Sequence, residues 1–166
     1  MKVSSHTDNH DHQQCIEQAL KKASELCSLR GLRLTELRTQ ILQIIWQTHQ
    51  PIGAYAIMDK LAVASYRERV APPTVYRSLE FLVKHALVHR VHSLNAYIGR
   101  KNPSSQSCEA LLLCSDCGHA EEVPNRAIEQ AINLCANEHR FNVQEQVLEI
   151  LGLCRHCKPT NERARG

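Results

Sequence analysis

In the first part of the chain, hydrophobic residues recur at intervals of three and four, which places them on one face of an α-helix. This pattern predicts four helices, over residues 15–30, 35–48, 54–64 and 74–84. Gly31 is suited to end the first helix, and Thr35 has the side chain of an N-cap for the second. Residues 87–91 and 96–98 are rich in β formers and flank a Ser-Leu-Asn turn, so they predict a hairpin. Short helices followed by a two-stranded wing are typical of a winged helix-turn-helix domain.

The pattern changes after this hairpin. Residues 100–107 have the polar composition of a linker. The segments 109–114 and 119–123 predict a second hairpin, with a Cys-x-x-Cys motif at its turn. The hydrophobic spacing in 125–139 predicts an amphipathic helix. The segment 141–152 then predicts a strand that ends at a second Cys-x-x-Cys motif.

Together these patterns predict an α+β fold with two domains. Winged helix-turn-helix modules place a helix in a DNA groove, so the first is expected to be a winged helix-turn-helix DNA-binding domain. The second is expected to be a small α/β dimerisation domain, in which the two Cys-x-x-Cys motifs predict a structural four-Cys zinc site. The expected boundaries are a polar, disordered tail at 1–14, the winged-helix domain at 15–99, a hinge linker at 100–107, the dimerisation domain at 108–158 and a polar tail at 159–166. Because the second domain is small, we expect a metal and a partner subunit to stabilise it.

Composition narrows the class of protein. Of the 166 residues, 43% are hydrophobic and 22% are charged, which is typical of a globular chain and not of a disordered one. The apolar runs are too short to cross a bilayer, and the first residues lack the apolar segment of a secretory signal. We therefore expect a cytoplasmic protein without a membrane partner. The six glycines form no Gly-rich loop after a predicted strand, which argues against most nucleotide-binding folds.

The net charge of +3 is unevenly distributed along the chain. Residues 21–90 carry eleven basic and five acidic side chains, whereas the residues from 96 onward carry eight basic and nine acidic ones. The excess of positive charge in the winged-helix half therefore suits binding to a polyanion such as DNA.

The eight cysteines are better explained as metal ligands than as disulfides in a reducing compartment. Four of the cysteines form two Cys-x-x-Cys motifs, Cys114-x-x-Cys117 and Cys154-x-x-Cys157. Two such turns supply four thiolates in a tetrahedron, which predicts a closed structural zinc site. Neither pair opens a helix after a strand, as a thioredoxin-like redox pair would. Cys27 and Cys135 lie on the apolar faces of predicted helices, and we expect both to be core residues.

The helix predicted over 74–84 carries the second chemical signal. The side chains off its apolar face, near its N-terminus, include Thr74, Tyr76 and Arg77. Helix-turn-helix proteins place this end of the helix in the major groove, where an arginine can bond bidentately to a guanine edge. Thr74 and Tyr76 can bind phosphate or a thymine methyl group near the positive end of the helix dipole.

Several motifs, in the same order along the chain, resemble the ferric uptake regulator (Fur) superfamily. They are Leu34-Thr35-x-x-Arg38, the Pro-Pro-Thr-Val-Tyr-Arg-Ser-Leu helix from Pro72, the hairpin with Leu87-Val88-His89-Arg90 and Asn95-Ala96-Tyr97, and the paired Cys-x-x-Cys motifs. The segments Ala71-Pro72-Pro73, Ser93–Tyr97 and Gly152-Leu153-Cys154 are most similar to the zinc uptake regulator (Zur) branch. The resemblance implies a homodimeric, metal-dependent repressor that binds double-stranded operator DNA. We add Arg38 and Tyr55 to the candidate DNA-binding residues.

The resemblance also implies a second, regulatory zinc site. The Zur branch holds this metal with a wing His, a Cys shortly after the wing, a His between the domains and a Glu after the first Cys pair. His89 matches the wing His and Glu122 matches the Glu, whereas Cys108 stands near the inter-domain position. Arg100, which cannot ligate, occupies the position of the Cys. The candidates for the fourth ligand are His92, His119 and a water molecule.

The expected function is therefore that of a zinc-responsive repressor of zinc uptake genes. A metal held between the wing and the hinge would fix the two DNA-binding domains of the dimer in an operator-compatible arrangement. The alternative is a regulator of the same superfamily that has structural zinc only, or that senses another metal or a redox signal. We expect neither an enzyme nor a small-molecule substrate, because the sequence lacks the His/Glu pair that zinc hydrolases and deaminases place beside an open zinc position.

Overall fold

A computed structural model describes residues 12–64, 70–103, 109–124, 126–144 and 146–158. The chain divides into two compact units, and the described residues up to 103 belong to the first unit and those from 109 to the second. Each unit contains helical structure and a three-stranded sheet, in agreement with the predicted α+β class. Within the described ranges, no helix has the length and the apolar character that crossing a membrane requires.

Helices make up most of the first unit. Their bounds are His12–Leu29 (α1), Glu36–Trp46 (α2), Ala54–Ala64 (α3) and Pro72–Lys84 (α4). Gly31 ends α1 as predicted, because it has a φ of 63° and the Leu32 N–H donates to the Cys27 carbonyl at 2.8 Å. Thr35 caps α2 by accepting a hydrogen bond from the Arg38 N–H.

Two helices begin earlier than the sequence predicted. The helix α1 starts at His12, so the last three residues of the expected disordered tail are helical. The Gln13 amide donates to the Glu17 carboxylate at 3.2 Å, a pairing across one turn that supports this extension. The helix α4 starts at Pro72, since proline fits the first turn of a helix, where its missing N–H would have no partner.

The first unit has a sheet with the strand order β1-β3-β2. The strands are Ile52–Gly53 (β1), Val88–Val91 (β2) and Ala96–Gly99 (β3). The antiparallel pair of β2 and β3 is the predicted wing. The strand β1 was not predicted, because two residues are too few to show alternation and their pairing with β3 is non-local. Helices and wing enclose one core, whose largest fully buried side chains include Ile41, Leu42, Ile45, Ile57, Leu79 and Leu82.

The second unit has a sheet with the strand order β5-β4-β6. Its strands are Glu109–Cys114 (β4), Ala120–Pro124 (β5) and Glu149–Gly152 (β6). The strands β4 and β5 form the predicted antiparallel hairpin, with Leu113 opposite Ala120. The strand β6 pairs with β4 in parallel, with Leu113 opposite Leu151. Parallel strands need a long crossover connection, and the helix Arg126–Glu138 (α5) lies within it.

Much of the apolar surface of the second unit is exposed in the single chain. The helix α5 has no buried side chain, and Leu134 is 66% exposed. On β6, Ile150 and Leu151 are also exposed. The prediction that Cys135 is a core residue is therefore wrong, because the described residues do not bury its face of α5. Cys27 is buried, as predicted.

The strand predicted over 141–152 is much shorter in the structure. The chain leaves α5 through a left-handed residue, Arg140, with a φ of 51°, and the Phe141 N–H donates to the Ala136 carbonyl at 2.8 Å. The described residues between this turn and β6 form neither helix nor strand. Phe141 and Val147 are exposed there. Their hydrophobic character led to the prediction of a strand, but it was not sufficient to show that the segment pairs with another strand.

Candidate metal centre and nucleic-acid interface

The parallel pairing of β4 and β6 brings the two Cys-x-x-Cys turns together. Cys114 ends β4 opposite Gly152, and the second motif begins two residues after Gly152. The Ser115 N–H and hydroxyl both donate to the Gly152 carbonyl, at 2.9 and 3.1 Å, and join the two segments beyond the paired strands. The sulfur atoms of all four predicted ligands lie within 4.8 Å of one another, and these ligands are Cys114, Cys117, Cys154 and Cys157.

Each Cys-x-x-Cys turn is closed by a backbone hydrogen bond. In the first turn, the Gly118 N–H donates to the Cys114 carbonyl at 3.0 Å, and Gly118 has a φ of 71° that an L side chain would disfavour. In the second turn, the Lys158 N–H donates to the Cys154 carbonyl at 2.8 Å. The backbone therefore holds the two sulfurs of each motif close together.

The surroundings of the sulfurs affect their ionisation in opposite ways. Burial raises the pKa of Cys114, but the N–H groups of Cys117, Cys154 and Asp116 outweigh burial and lower this pKa to about 6. The Asp116 side chain and the neighbouring sulfurs raise the pKa of Cys157. One thiolate is therefore favoured, whereas four thiolates together need a cation to offset their negative charge.

This donor set fits zinc. A zinc–sulfur distance of about 2.3 Å in a tetrahedron places neighbouring sulfurs about 3.8 Å apart. The Cys117 and Cys154 sulfurs lie 3.7 Å apart, and all four sulfurs lie within 4.8 Å of one another, so the size of the cluster is close to the size that zinc requires. Thiolates favour zinc over hard cations such as magnesium and calcium. Four protein ligands leave no position for water or substrate, which is the arrangement of a structural centre.

The predicted DNA contacts on α4 are accessible. Thr74, Tyr76 and Arg77 are exposed, whereas Val75 on the other side of the helix is fully buried. Tyr55, near the start of α3, is 77% exposed. These four candidate side chains are thus available to a partner, and their contact with DNA stays a prediction.

The first turn of α4 has few backbone N–H groups that could donate to a phosphate. Pro72 and Pro73 have no N–H group. The Thr74 and Val75 N–H groups both donate to the Ala71 carbonyl, at 2.9 and 3.3 Å. Phosphate binding at this helix end would therefore depend on side chains and on the helix dipole, and not on free N–H groups.

Arg38 is placed differently from the other candidate DNA contacts. Its Nη1 donates to the Arg33 carbonyl at 2.6 Å, and its guanidinium carbon lies 3.5 Å from the centre of the Phe81 ring in α4. Phe81 also lies beside His85, with the ring centres 4.4 Å apart. Phe81 was not among the candidate residues, because a contact between residues so far apart in the chain leaves no local sequence pattern.

The candidate regulatory ligands come from different parts of the chain. His89 is half-buried on β2 of the first unit, and Glu122 is half-buried on β5 of the second. Cys108 lies outside the described residues. His92 and His119, the candidates for the fourth position, are both exposed; His92 lies in the turn between β2 and β3, and His119 directly precedes β5. The regulatory site therefore stays a prediction.

The sequence pattern of the Ferric uptake regulator family matches residues 29–151, which is most of the chain. The chain belongs to the Ferric uptake regulator family. Members of this family are dimeric, DNA-binding transcription regulators and not enzymes. The resemblance noted in the sequence is thereby confirmed for this Fur-family chain.

Zinc uptake regulators are among the similar proteins. The Zinc uptake regulation protein of Escherichia coli (strain K12) is 32% identical over 144 residues, which cover 85% of this chain and 82% of that protein. The structure of a zinc uptake regulator complexed with zinc and DNA has a TM-score of 0.80 and 31% identity, and covers 86% of this chain and 94% of that one. The crystal structure of holo XcZur has a TM-score of 0.76 and 35% identity, and covers 84% and 96%. This Fur-family chain thus resembles zinc uptake regulators over most of its length, as predicted.

Proposed function

We propose that this protein is a zinc-responsive transcriptional repressor that binds operator DNA as a homodimer and controls zinc uptake genes in the cytoplasm. The observation that carries the proposal is the exposed, arginine-bearing face of α4 in a chain similar to a zinc uptake regulator complexed with zinc and DNA. The four-Cys centre supports it, because it fits structural zinc in the second unit.

The chemistry of α4 supports sequence-specific DNA binding. Arg77 can donate two hydrogen bonds to a guanine edge in the major groove. Thr74, Tyr76 and Tyr55 can position the helix through phosphate or thymine-methyl contacts. The excess of basic residues in 21–90 adds a favourable, sequence-independent interaction with the DNA backbone.

The exposed apolar side chains of the second unit support a homodimer. Leu134 on α5, Phe141 after it and Leu151 on β6 are all more than half exposed. Apolar side chains that remain exposed in a unit this small favour association with a second copy. A dimer presents two α4 helices and so predicts an operator with two related half-sites.

The proposed regulation rests on His89, Cys108 and Glu122 as ligands of a second zinc. A metal favours the DNA-binding arrangement only through its greater affinity for that arrangement. Because Arg100 stands where a thiolate would be expected, this site should bind zinc more weakly than a four-ligand site would. Histidine and cysteine bind metal in their deprotonated forms, so repression should weaken as the pH falls.

A zinc titration tests the proposal. Protein that holds one zinc per chain is given increasing free zinc, and its affinity is followed for a duplex that it has selected from a randomised pool. We expect the affinity to rise with zinc, and we expect His89→Ala and Cys108→Ser to shift the rise to higher zinc while metal analysis still finds the first zinc. If the affinity for the duplex does not change as zinc is added, the result would support the alternative, a regulator with structural zinc only.

The DNA-binding role of Arg77 has its own test. Arg77→Ala should reduce binding to the selected duplex by roughly 1–3 kcal/mol and relax the preference for one base, because a bidentate contact is lost. The zinc content should not change, since Arg77 lies in the first unit and the four cysteines lie in the second. Unchanged base preference in this variant would contradict the assignment of α4 as the recognition helix.

A further inference from the structure

Two arginines that precede α4 in the sequence contact the C-terminal half of this helix. The guanidinium group of Arg38 lies over the ring of Phe81, at 3.5 Å from its centre. The Arg30 Nη1 donates to the carbonyl of His85, the C-cap residue of α4, at 3.4 Å. A cation near the last carbonyls of a helix also interacts favourably with the helix dipole. The end of α1 and the start of α2 thus both hold α4 in place.

Arg38 is itself held at its backbone and at its guanidinium group. Its backbone N–H donates to the Thr35 N-cap, and its Nη1 donates to the Arg33 carbonyl at 2.6 Å. One face of its guanidinium group is covered by Phe81, and the residue is half-buried. A guanidinium group used in this way within the first unit has fewer donors left for a phosphate than an exposed arginine has.

Phe81 lies between Arg38, which contacts its ring, and Arg77, the proposed base-reading residue of α4. It follows Arg77 by four residues, so the two side chains are neighbours along one line of the helix surface. On its other side Phe81 packs against the hydrophobic core. A rotation of α4 that moved Phe81 away from Arg38 would therefore also redirect Arg77.

We propose that Arg38 is a positioning residue, which holds α4 through Phe81 at the angle at which Arg77 meets a base edge. This inference rests on the proposed DNA-binding function and assigns Arg38 a role in specificity instead of phosphate contact. Arg30 supports the same helix through its C-terminal carbonyl group. The motif Leu34-Thr35-x-x-Arg38 is then explained by one local structure, a capped helix start that aims an arginine at the recognition helix.

Salt dependence separates a positioning role from a phosphate contact. An arginine bound to phosphate contributes about 0.9 to the slope of log K against log salt, and it does so on any DNA sequence. An arginine that only orients α4 contributes to binding of the selected sequence. Replacing it should change the salt slope and the non-specific binding no more than replacing a nearby arginine that does not contact Phe81. The two roles therefore predict different results for the same substitution.

The experiment compares full-length, zinc-loaded wild type with Arg38→Gln on two duplexes, the one selected from a randomised pool and a scrambled version of it. We expect Arg38→Gln to weaken binding to the selected duplex roughly 3- to 30-fold, the range of a partly buried cation–π contact. For Arg38→Gln, the affinity for the scrambled duplex and the salt slope should equal those measured for Arg33→Gln. That control removes the same charge from the same segment without touching the Phe81 ring.

A second pair of variants tests the contact itself. Phe81→Leu removes the ring and should reproduce the loss of Arg38→Gln, whereas Phe81→Tyr retains the ring face and should bind like the wild type. The double variant Arg38→Gln/Phe81→Leu should be no weaker than either single variant, because both changes remove one interaction. Thermal unfolding of each variant shows whether the first unit remains folded during these measurements.

The results of these experiments distinguish failure of the positioning role of Arg38 from failure of the proposed DNA-binding function. An equal loss on both duplexes, with a smaller salt slope in Arg38→Gln than in Arg33→Gln, would show a phosphate contact and overturn the inference alone. Additive losses in the double variant would also overturn it. If the wild type selects no sequence at all, the proposed DNA-binding function fails and the inference fails with it.

Discussion

The two units of the chain differ in how far each buries its own apolar side chains. In the first unit, Ile41, Ile45 and Leu79 have no exposed surface, and helices and wing share one core. In the second unit, α5 has no buried side chain and β6 exposes Ile150 and Leu151. The first unit can therefore be stabilised largely by its own hydrophobic core, whereas we expect the second to need a metal and a partner surface for its stability.

The largest expected effect comes from removing the metal centre. Cys114→Ser, or treatment with a zinc chelator, should unfold the second unit, because structural zinc contributes on the order of 10 kcal/mol to small zinc domains. The first unit should remain folded. Calorimetry of the zinc-loaded and stripped proteins should then show the loss of one unfolding transition and the retention of the other.

Cys135→Ser is the matched control, because Cys135 lies on the same unit but is exposed on α5, away from the four sulfurs. This variant should keep its zinc and both transitions. If Cys114→Ser remained dimeric and as stable as the wild type, the contrast between the two units would be lost.

A change in the wing should affect only the first unit. A Cβ atom on Gly99 would overlap the indole ring of Trp46, which packs at the end of α2. Gly99→Ala should therefore destabilise the first unit by about 1–3 kcal/mol, the usual effect of overpacking. Trp46 is the single tryptophan, so its fluorescence during urea unfolding reports this unit directly.

Gly53→Ala in the neighbouring strand β1 provides the control, since its Cβ would meet nothing within 4 Å. It should change the stability by less than about 0.5 kcal/mol. If Gly99→Ala and Gly53→Ala changed the stability equally, the close approach of Gly99 to Trp46 would not be what makes alanine unfavourable at position 99.

The smallest expected effect is a gain in stability after α4. Ala86 has a φ of 59°, and its N–H and that of Leu87 donate to the Val83 and Leu82 carbonyls, both at 2.9 Å. Glycine adopts this left-handed conformation without the strain that alanine carries, so Ala86→Gly should stabilise the first unit by about 0.5–1 kcal/mol. Urea unfolding followed by Trp46 fluorescence measures the change. Ala56→Gly, an exposed change inside α3, should have the opposite sign.

The sequence predicted the elements whose signals are local. The bounds of α3 match the predicted helix, and the Thr35 N-cap and the turn at Gly31 lie where the sequence placed them. The cysteine spacing was also sufficient to predict the four-sulfur cluster. In each of these cases the physical cause lies within a few residues of the signal or in a fixed ligand geometry.

The missed features depend on distant partners. The strand β1 exists through its pairing with β3, and the Arg38 contact exists through the position of Phe81. Periodicity correctly placed Cys135 on an apolar face of α5, but it could not show whether another surface covers that face. The described residues between Arg140 and β6 include hydrophobic ones but form no strand, and hydrophobic character alone could not show whether a pairing partner exists.

The pairing of β6 with β4 has a consequence for how the protein is made. Two of the four sulfurs follow β6, so a ribosome must release residue 157 before the zinc centre can close. The first unit contains no residue from that part of the chain, and N-terminal domains fold first during synthesis. The nascent chain can thus complete its first unit before it can bind an ion at the four cysteines of its second unit.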